Sequence, residues 1–149
     1  MTAKEYLEQI HDLDGRIRTA EKAIEDLEKK LYDRPGGSEA DAVRVKSSPR
    51  QDPIGDMVSS IADGQIKLAG MIDQYVDLKL RIIAQIDAIP TARYREILRM
   101  RYVEKDKNGR QLSMADIAEA KAYEYYYTCQ MHGKALLEFE DTYPEIRDL

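Results

Sequence analysis

Residues 6–31 read YLEQIHDLDGRIRTAEKAIEDLEKKL, and this stretch decides the fold class. Its residues Tyr6, Ile10, Leu13, Ile17, Ala20, Ile24, Leu27 and Leu31 are spaced alternately by four and three positions. That period of 3.5 is a helical seam, whereas a half-buried strand would alternate every second residue. Carboxylates, lysines and arginines fill the positions between, as they do on the wet side of an amphipathic helix. The pattern predicts one helix over residues 2–33, weakened but not ended by Gly15. Pro35, Gly36 and Gly37 stop it, because proline lacks the amide donor and glycine frees the turn.

Polar sequence follows, forming a loop at about 34–53. Val43, Arg44 and Val45 provide a possible brief extended contact along it. A second long helix starts near Ile54. Its expected seam runs through Ile54, Val58, Ile61, Leu68, Ile72, Tyr75, Ile82, Ile86 and Ile89, with Gln65 and Lys79 in two positions. Met57, Met71 and Leu78 widen the apolar face, and Pro90 ends the helix. Two such helices joined by one loop form most simply a long antiparallel helical hairpin, coiled-coil-like, over residues 1–89. The width of the second apolar face implies self-association as a homodimer or higher oligomer.

Residues 90–149 have shorter elements. Ile97, Leu98 and Tyr102 mark a short helix, followed by the polar turn Lys105-Asp106-Lys107-Asn108-Gly109-Arg110. Ser113 is a good N-cap, with Asp116 in the first turn after it. A last helix runs through a tyrosine cluster to about Tyr143, with Leu136, Leu137 and Phe139 as its expected buried face. The whole chain is therefore all-α: a hairpin followed by a small helix-turn-helix domain.

The formal net charge of −5 over 149 residues excludes a protein that coats nucleic acid indiscriminately. The charge is uneven. Arg93, Arg95, Arg99, Arg101, Lys105, Lys107 and Arg110 stand with only three acids in the same stretch, which fits either phosphate contacts, with these seven as the candidates, or a solvated helix and turn. Ten tyrosines accompany one phenylalanine and no tryptophan. Tyr123, Tyr125, Tyr126 and Tyr127 cannot all point inward, since neighbouring helix positions diverge, so at least two are expected at the surface. Cys129 is the only cysteine, which excludes an intrachain disulfide and a multi-cysteine metal site. His132 has no nucleophile in its pattern and His11 lies among acids on a charged face, so neither an enzyme nor a cofactor is expected. No apolar run approaches a membrane span, and the expected location is the bacterial cytoplasm, with no membrane partner.

Residues 90–139 resemble a known family. Pro90, Arg95, Ile97, Leu98, Arg101 and Tyr102, then Met114, Asp116, Ile117 and Ala118, then His132-Gly133-Lys134-Ala135-Leu136 and Phe139 are similar to the fourth region of bacterial sigma factors. They resemble more closely the sigma-like domain of phage late-gene transcription regulators of the ArpU/RinA-like group. Val45-Lys46-Ser47-Ser48, Asp52 to Val58 and Lys4 to Ile10 extend the resemblance upstream. It implies a phage or prophage transcription regulator that binds double-stranded DNA, working with host RNA polymerase. The resemblance places the groove-entering helix at about Tyr123 to Leu137. Tyr125, Tyr126, Tyr127, Gln130 and Lys134 then join the seven cations as DNA-contact candidates. The sequence departs from the family pattern at Lys121-Ala122-Tyr123, where the turn usually holds glycine. It departs again at Glu124, where a small capping residue is usual, and at Tyr126 and Gln130, where bases are expected. Those departures point to a second reading. In it the coiled coil serves an interaction or assembly protein, such as a packaging subunit or an inhibitor of a host factor.

Overall fold

A computed structural model describes residues 1–33 and 52–149. Within them the chain is helical: α1 (Ala3–Tyr32), α2 (Pro53–Asp87), α3 (Ala92–Tyr102), α4 (Met114–Lys121), α5 (Tyr125–Thr142) and a closing 3-10 turn (Pro144–Asp148). Among these residues the only strand-like pairing is an isolated bridge between Lys105 and Gln111. The expected contact of Val43, Arg44 and Val45, and the resemblance at residues 45–48, lie outside the described residues.

The chain divides into two compact units, one of residues 1–14 and 74–149, the other of residues 15–73. The boundary expected at residue 89 falls inside the first unit. The physical reason is its core: Ile82, Ile86 and Ile89 pack in one cluster with Ala3, Tyr6, Leu7 and Ile10, and with Ile97, Leu98, Phe139 and Ile146. The end of α2 thus belongs to the same core as the C-terminal helices.

In the first unit, the Tyr6 hydroxyl donates to Oε1 of Gln85 at 2.9 Å, and the Tyr143 hydroxyl donates to the Gln85 carbonyl at 2.8 Å. Eight residues along α1, Asp14 accepts from Lys105 at 2.8 Å, and the same ammonium lies 5.7 Å from the Tyr75 ring. Phe139 links this layer together, with ring centroids 6.1 Å from Tyr6 and 4.9 Å from Tyr143. In the second unit Ile17 and Ile61 are buried, while Ile24 and Leu27 are half-buried. A Cβ placed on Gly64 would meet Ile24 at 3.1 Å, so glycine lets the two backbones come close there.

The covered face of α2 differs in phase from the expected one. Ile61, Leu68, Tyr75, Ile82 and Ile89 face inward as expected, but the positions between them are Met57, Gly64, Met71 and Leu78. Ile54, Val58 and Ile72 are exposed instead, and Gln65 faces water. Met57, Met71 and Leu78, expected to be uncovered, are half-buried.

Helix starts follow their capping chemistry. Asp52 accepts the Gly55 amide at 2.9 Å, with Pro53 opening α2. Ser113 and Asp116 exchange hydrogen bonds at 3.0 Å each way in a capping box at α4. Hydrogen bonds to the Asp116 carboxylate from the Ser113 backbone amide, and then from its hydroxyl, hold that carboxyl below its ordinary pKa. The α3 start has no cap of its own: Glu138 of α5 accepts both the Thr91 amide at 3.2 Å and its hydroxyl at 2.6 Å. At the other side of this corner, the Arg95 guanidinium donates to the Ile89 and Pro90 carbonyls at 2.7 and 3.0 Å.

Candidate nucleic-acid interface

Helices α4 and α5 are joined by a three-residue turn. Ala122 takes the left-handed conformation (φ 56°, ψ 39°) and its amide bonds back to the Ala118 and Glu119 carbonyls. Tyr123 then caps the Ala118 carbonyl at 2.9 Å, and Glu124 stands at the α5 N-cap without capping the helix through its side chain. Ile117, Met131 and Ala135 bury the inner faces of the two helices against Ile97 and Leu98 of α3. The helix begins at Tyr125 and extends to Thr142, two residues later at its start and five at its end than the resemblance placed it.

The outer face of α5 is set by its period. Thr128, Met131, Ala135 and Phe139 are buried, which leaves Tyr126, Gln130, Lys134 and Leu137 outward. Tyr126 is 74% exposed and Leu137 61%. Leu137 was expected in the buried face; the position belongs to the opposite side because it follows Tyr126 and Gln130 at helical spacing. Tyr125 and Tyr127 are exposed too, flanking this face, and Tyr123 is half-buried. The tyrosines pair edge to face: Tyr123 with Tyr127 at 5.4 Å, Tyr125 with Tyr126 at 6.0 Å. A hydrogen bond between the Tyr125 hydroxyl and Cys129 raises the tyrosine pKa.

The seven cations part company. Arg93 is exposed and donates to the Tyr127 hydroxyl at 3.0 Å, so it joins the tyrosine end of α5. Arg95 holds the α2–α3 corner as described. Arg99 pairs with Asp87, and Arg101 donates to the Leu112 carbonyl. Lys105 is bound to Asp14. Lys107 and Arg110 are exposed on the turn, where Asp106 organises the backbone by accepting the Asn108 and Arg110 amides at 2.8 and 2.9 Å. Lys107 shares an open groove with Asp116 and Glu119 of α4. The sequence alone could not reveal these pairings, because the partners of Arg99 and Lys105 lie 12 and 91 residues away.

Two histidines of the first unit are half-buried. His132 Nε2 and the hydroxyl of the fully buried Tyr102 share a hydrogen bond of 2.8 Å. Burial, reinforced by the positive charges of Arg101 and Lys4, pushes its pKa down to about 4, so the ring is neutral at pH 7. Burial raises the Tyr102 pKa, leaving the phenol protonated and able to donate. Burial likewise lowers the His11 pKa, and among the described residues its Nε2 finds no hydrogen-bond partner. Among the described residues no group of three or more His, Cys, Asp or Glu could hold a metal ion, and no helix is long and apolar enough to cross a membrane.

No protein-family model, curated protein or solved structure matches this chain.

Proposed function

We propose that the chain is a phage-type transcription regulator. In this reading α4 and α5 form a helix-turn-helix whose second helix enters the DNA major groove, and α1 and α2 form an antiparallel hairpin. The observation that carries the reading is the α4–α5 pair itself. A short left-handed turn joins a helix packed inside the domain to one on which Tyr126, Gln130, Lys134 and Leu137 are exposed. On that face Gln130 suits the bidentate recognition of adenine, and Lys134, Arg93 and the tyrosine hydroxyls suit phosphates and base edges. The contacts of Tyr6 with Gln85, and separately of Ile24 with Gly64, support opposed directions for α1 and α2.

The resemblance to sigma-like phage regulators and this geometry support the same face. Arg95, Arg99, Arg101 and Lys105 serve the fold instead, which lowers the number of phosphate contacts and hence the affinity at physiological salt. Selection of binding sites from random duplex DNA at low salt, with and without host RNA polymerase, tests the proposal. Enrichment of a motif that Gln130→Ala or Tyr126→Ala alters supports it. Absence of any binding under both conditions overturns it.

A second reading is favoured by Leu137. A leucine this exposed in line with Tyr126 suits a protein groove better than a phosphate backbone, as in an interaction or assembly protein. Co-purification of a stoichiometric protein partner lost in Leu137→Lys, with no DNA enrichment, supports that reading over the first.

A further inference from the structure

Helix α2 has two apolar arcs, and among the described residues only one of them is covered. The covered arc follows Met57, Ile61, Leu68, Tyr75 and Ile82. On the other side Ile54, Val58, Ile66, Ile72, Val76 and Leu80 are between two-fifths and three-quarters exposed. At 100° per residue these six fall within an arc of about 120°. Through its middle, Ala62, Ile66, Ala69, Asp73, Val76, Leu80 and Ile83 repeat by fours and threes, a second seam with the same 3.5 period as the first.

A stripe of that period fits another helix. We propose that the second seam is the contact face between two copies of this chain, their α2 helices packed antiparallel about a two-fold axis near Met71. Size is the first argument. The six side chains expose on the order of 500 Å² of apolar surface, large for a monomer, and with the flanking alanines approach the roughly 800 Å² per partner of a stable interface. Self-complementarity is the second. About that axis Leu80 stands opposite the partner's Ala62 and Ile66 opposite the partner's Val76, larger against smaller in each layer. Asp73 is the third, and it selects direction. Parallel helices would set the two Asp73 carboxylates against each other inside the seam, where like charges repel and neither has a counter-ion. The antiparallel arrangement sets each beside the partner's Ala69, whose small side chain leaves the carboxylate a route to water.

The inference does not rest on the DNA-binding reading, and its test uses no DNA. Sedimentation of the full chain across micromolar concentrations is expected to give a dimer of the 17.1 kDa subunit. Ile66→Lys and Leu80→Lys, both at exposed sites, should keep the helical circular dichroism and raise the dimer dissociation constant at least about tenfold. Asp73→Asn should tighten the dimer. In a Cys129→Ser background, the double variant Ala62→Cys/Leu80→Cys should form interchain disulfides, because the two positions on one helix are about 27 Å apart. Leu80→Cys alone should not cross-link. A monomer at all concentrations, a dissociation constant unmoved by both lysine variants, or cross-linking through Leu80→Cys alone overturns the proposal.

Discussion

Oε1 of Glu140, near the end of α5, accepts the backbone amide of Ala3 at 2.9 Å, so a carboxylate 137 residues away caps the first helix. Two positions earlier, Glu138 does the same for Thr91 at the start of α3. Helix N-termini have unpaired amides and a partial positive charge, and a carboxylate satisfies both. One stretch of α5 thereby holds two other helices by their starting turns.

Glu140→Ala should cost about 1 kcal/mol by removing that cap. Glu140→Gln, which retains the acceptor oxygen, should recover much of the loss. Thermal unfolding of the three proteins checks the ranking, and faster amide exchange over residues 3–6 in the alanine variant locates the cause.

Ala122→Gly should stabilise the protein. A side chain in the left-handed region costs roughly 1–2 kcal/mol, part of which glycine gives back as unfolded-chain entropy. The expected gain is about 0.5–1 kcal/mol, read as a rise of a few degrees in Tm. An unchanged or lower Tm would show that Ala122 is not strained at φ 56°.

Stability should fall on acidification through His132. The ring titrates near 6.5 in the unfolded chain and at about 4 in the folded one, so between these values the unfolded state binds more protons. The contribution is complete above about pH 6.5 and is lost as pH falls through about 4. A protonated Nε2 also cannot accept from Tyr102. His132→Gln keeps an acceptor and does not titrate, and should flatten the dependence of Tm on pH over this window. His11, whose pKa is also lowered by burial, leaves a residual slope.

Leu27→Cys/Ile61→Cys in a Cys129→Ser background should form an intrachain disulfide, since Ile24 and Gly64 meet three residues away along each helix in the opposite sense. A failure to oxidise, with native helicity, would count against the antiparallel pairing.

The long helices were legible because eight residues in α1 follow one period without a slip, and Ser113 with Asp116 announced the α4 start. The phase of α2 was not. A helix apolar over two arcs satisfies a 3.5 repeat in more than one register, and the position that touches Ile24 is a glycine, which adds nothing to a hydrophobic pattern. Gln65 was the available clue, a polar residue in a seam that proved to face water. At the candidate interface, helix periodicity correctly required exposed tyrosines. Leu137 was misassigned because Leu136 and Phe139 beside it do face inward. The division of the basic run into structural and free cations depends on Asp87, Asp14 and backbone carbonyls brought near only by folding.

The packing of Tyr6 and Leu7 with Phe139 and Ile146 has a consequence for biosynthesis. The first turns of α1 leave the ribosome well before the apolar surface of α5 that shields them is made. Residues 15–73 can collapse locally while translation continues, whereas the N-terminal segment stays sticky until α5 has left the exit tunnel. Nascent chains stalled before Phe139 are therefore the species on which a chaperone would find its binding site.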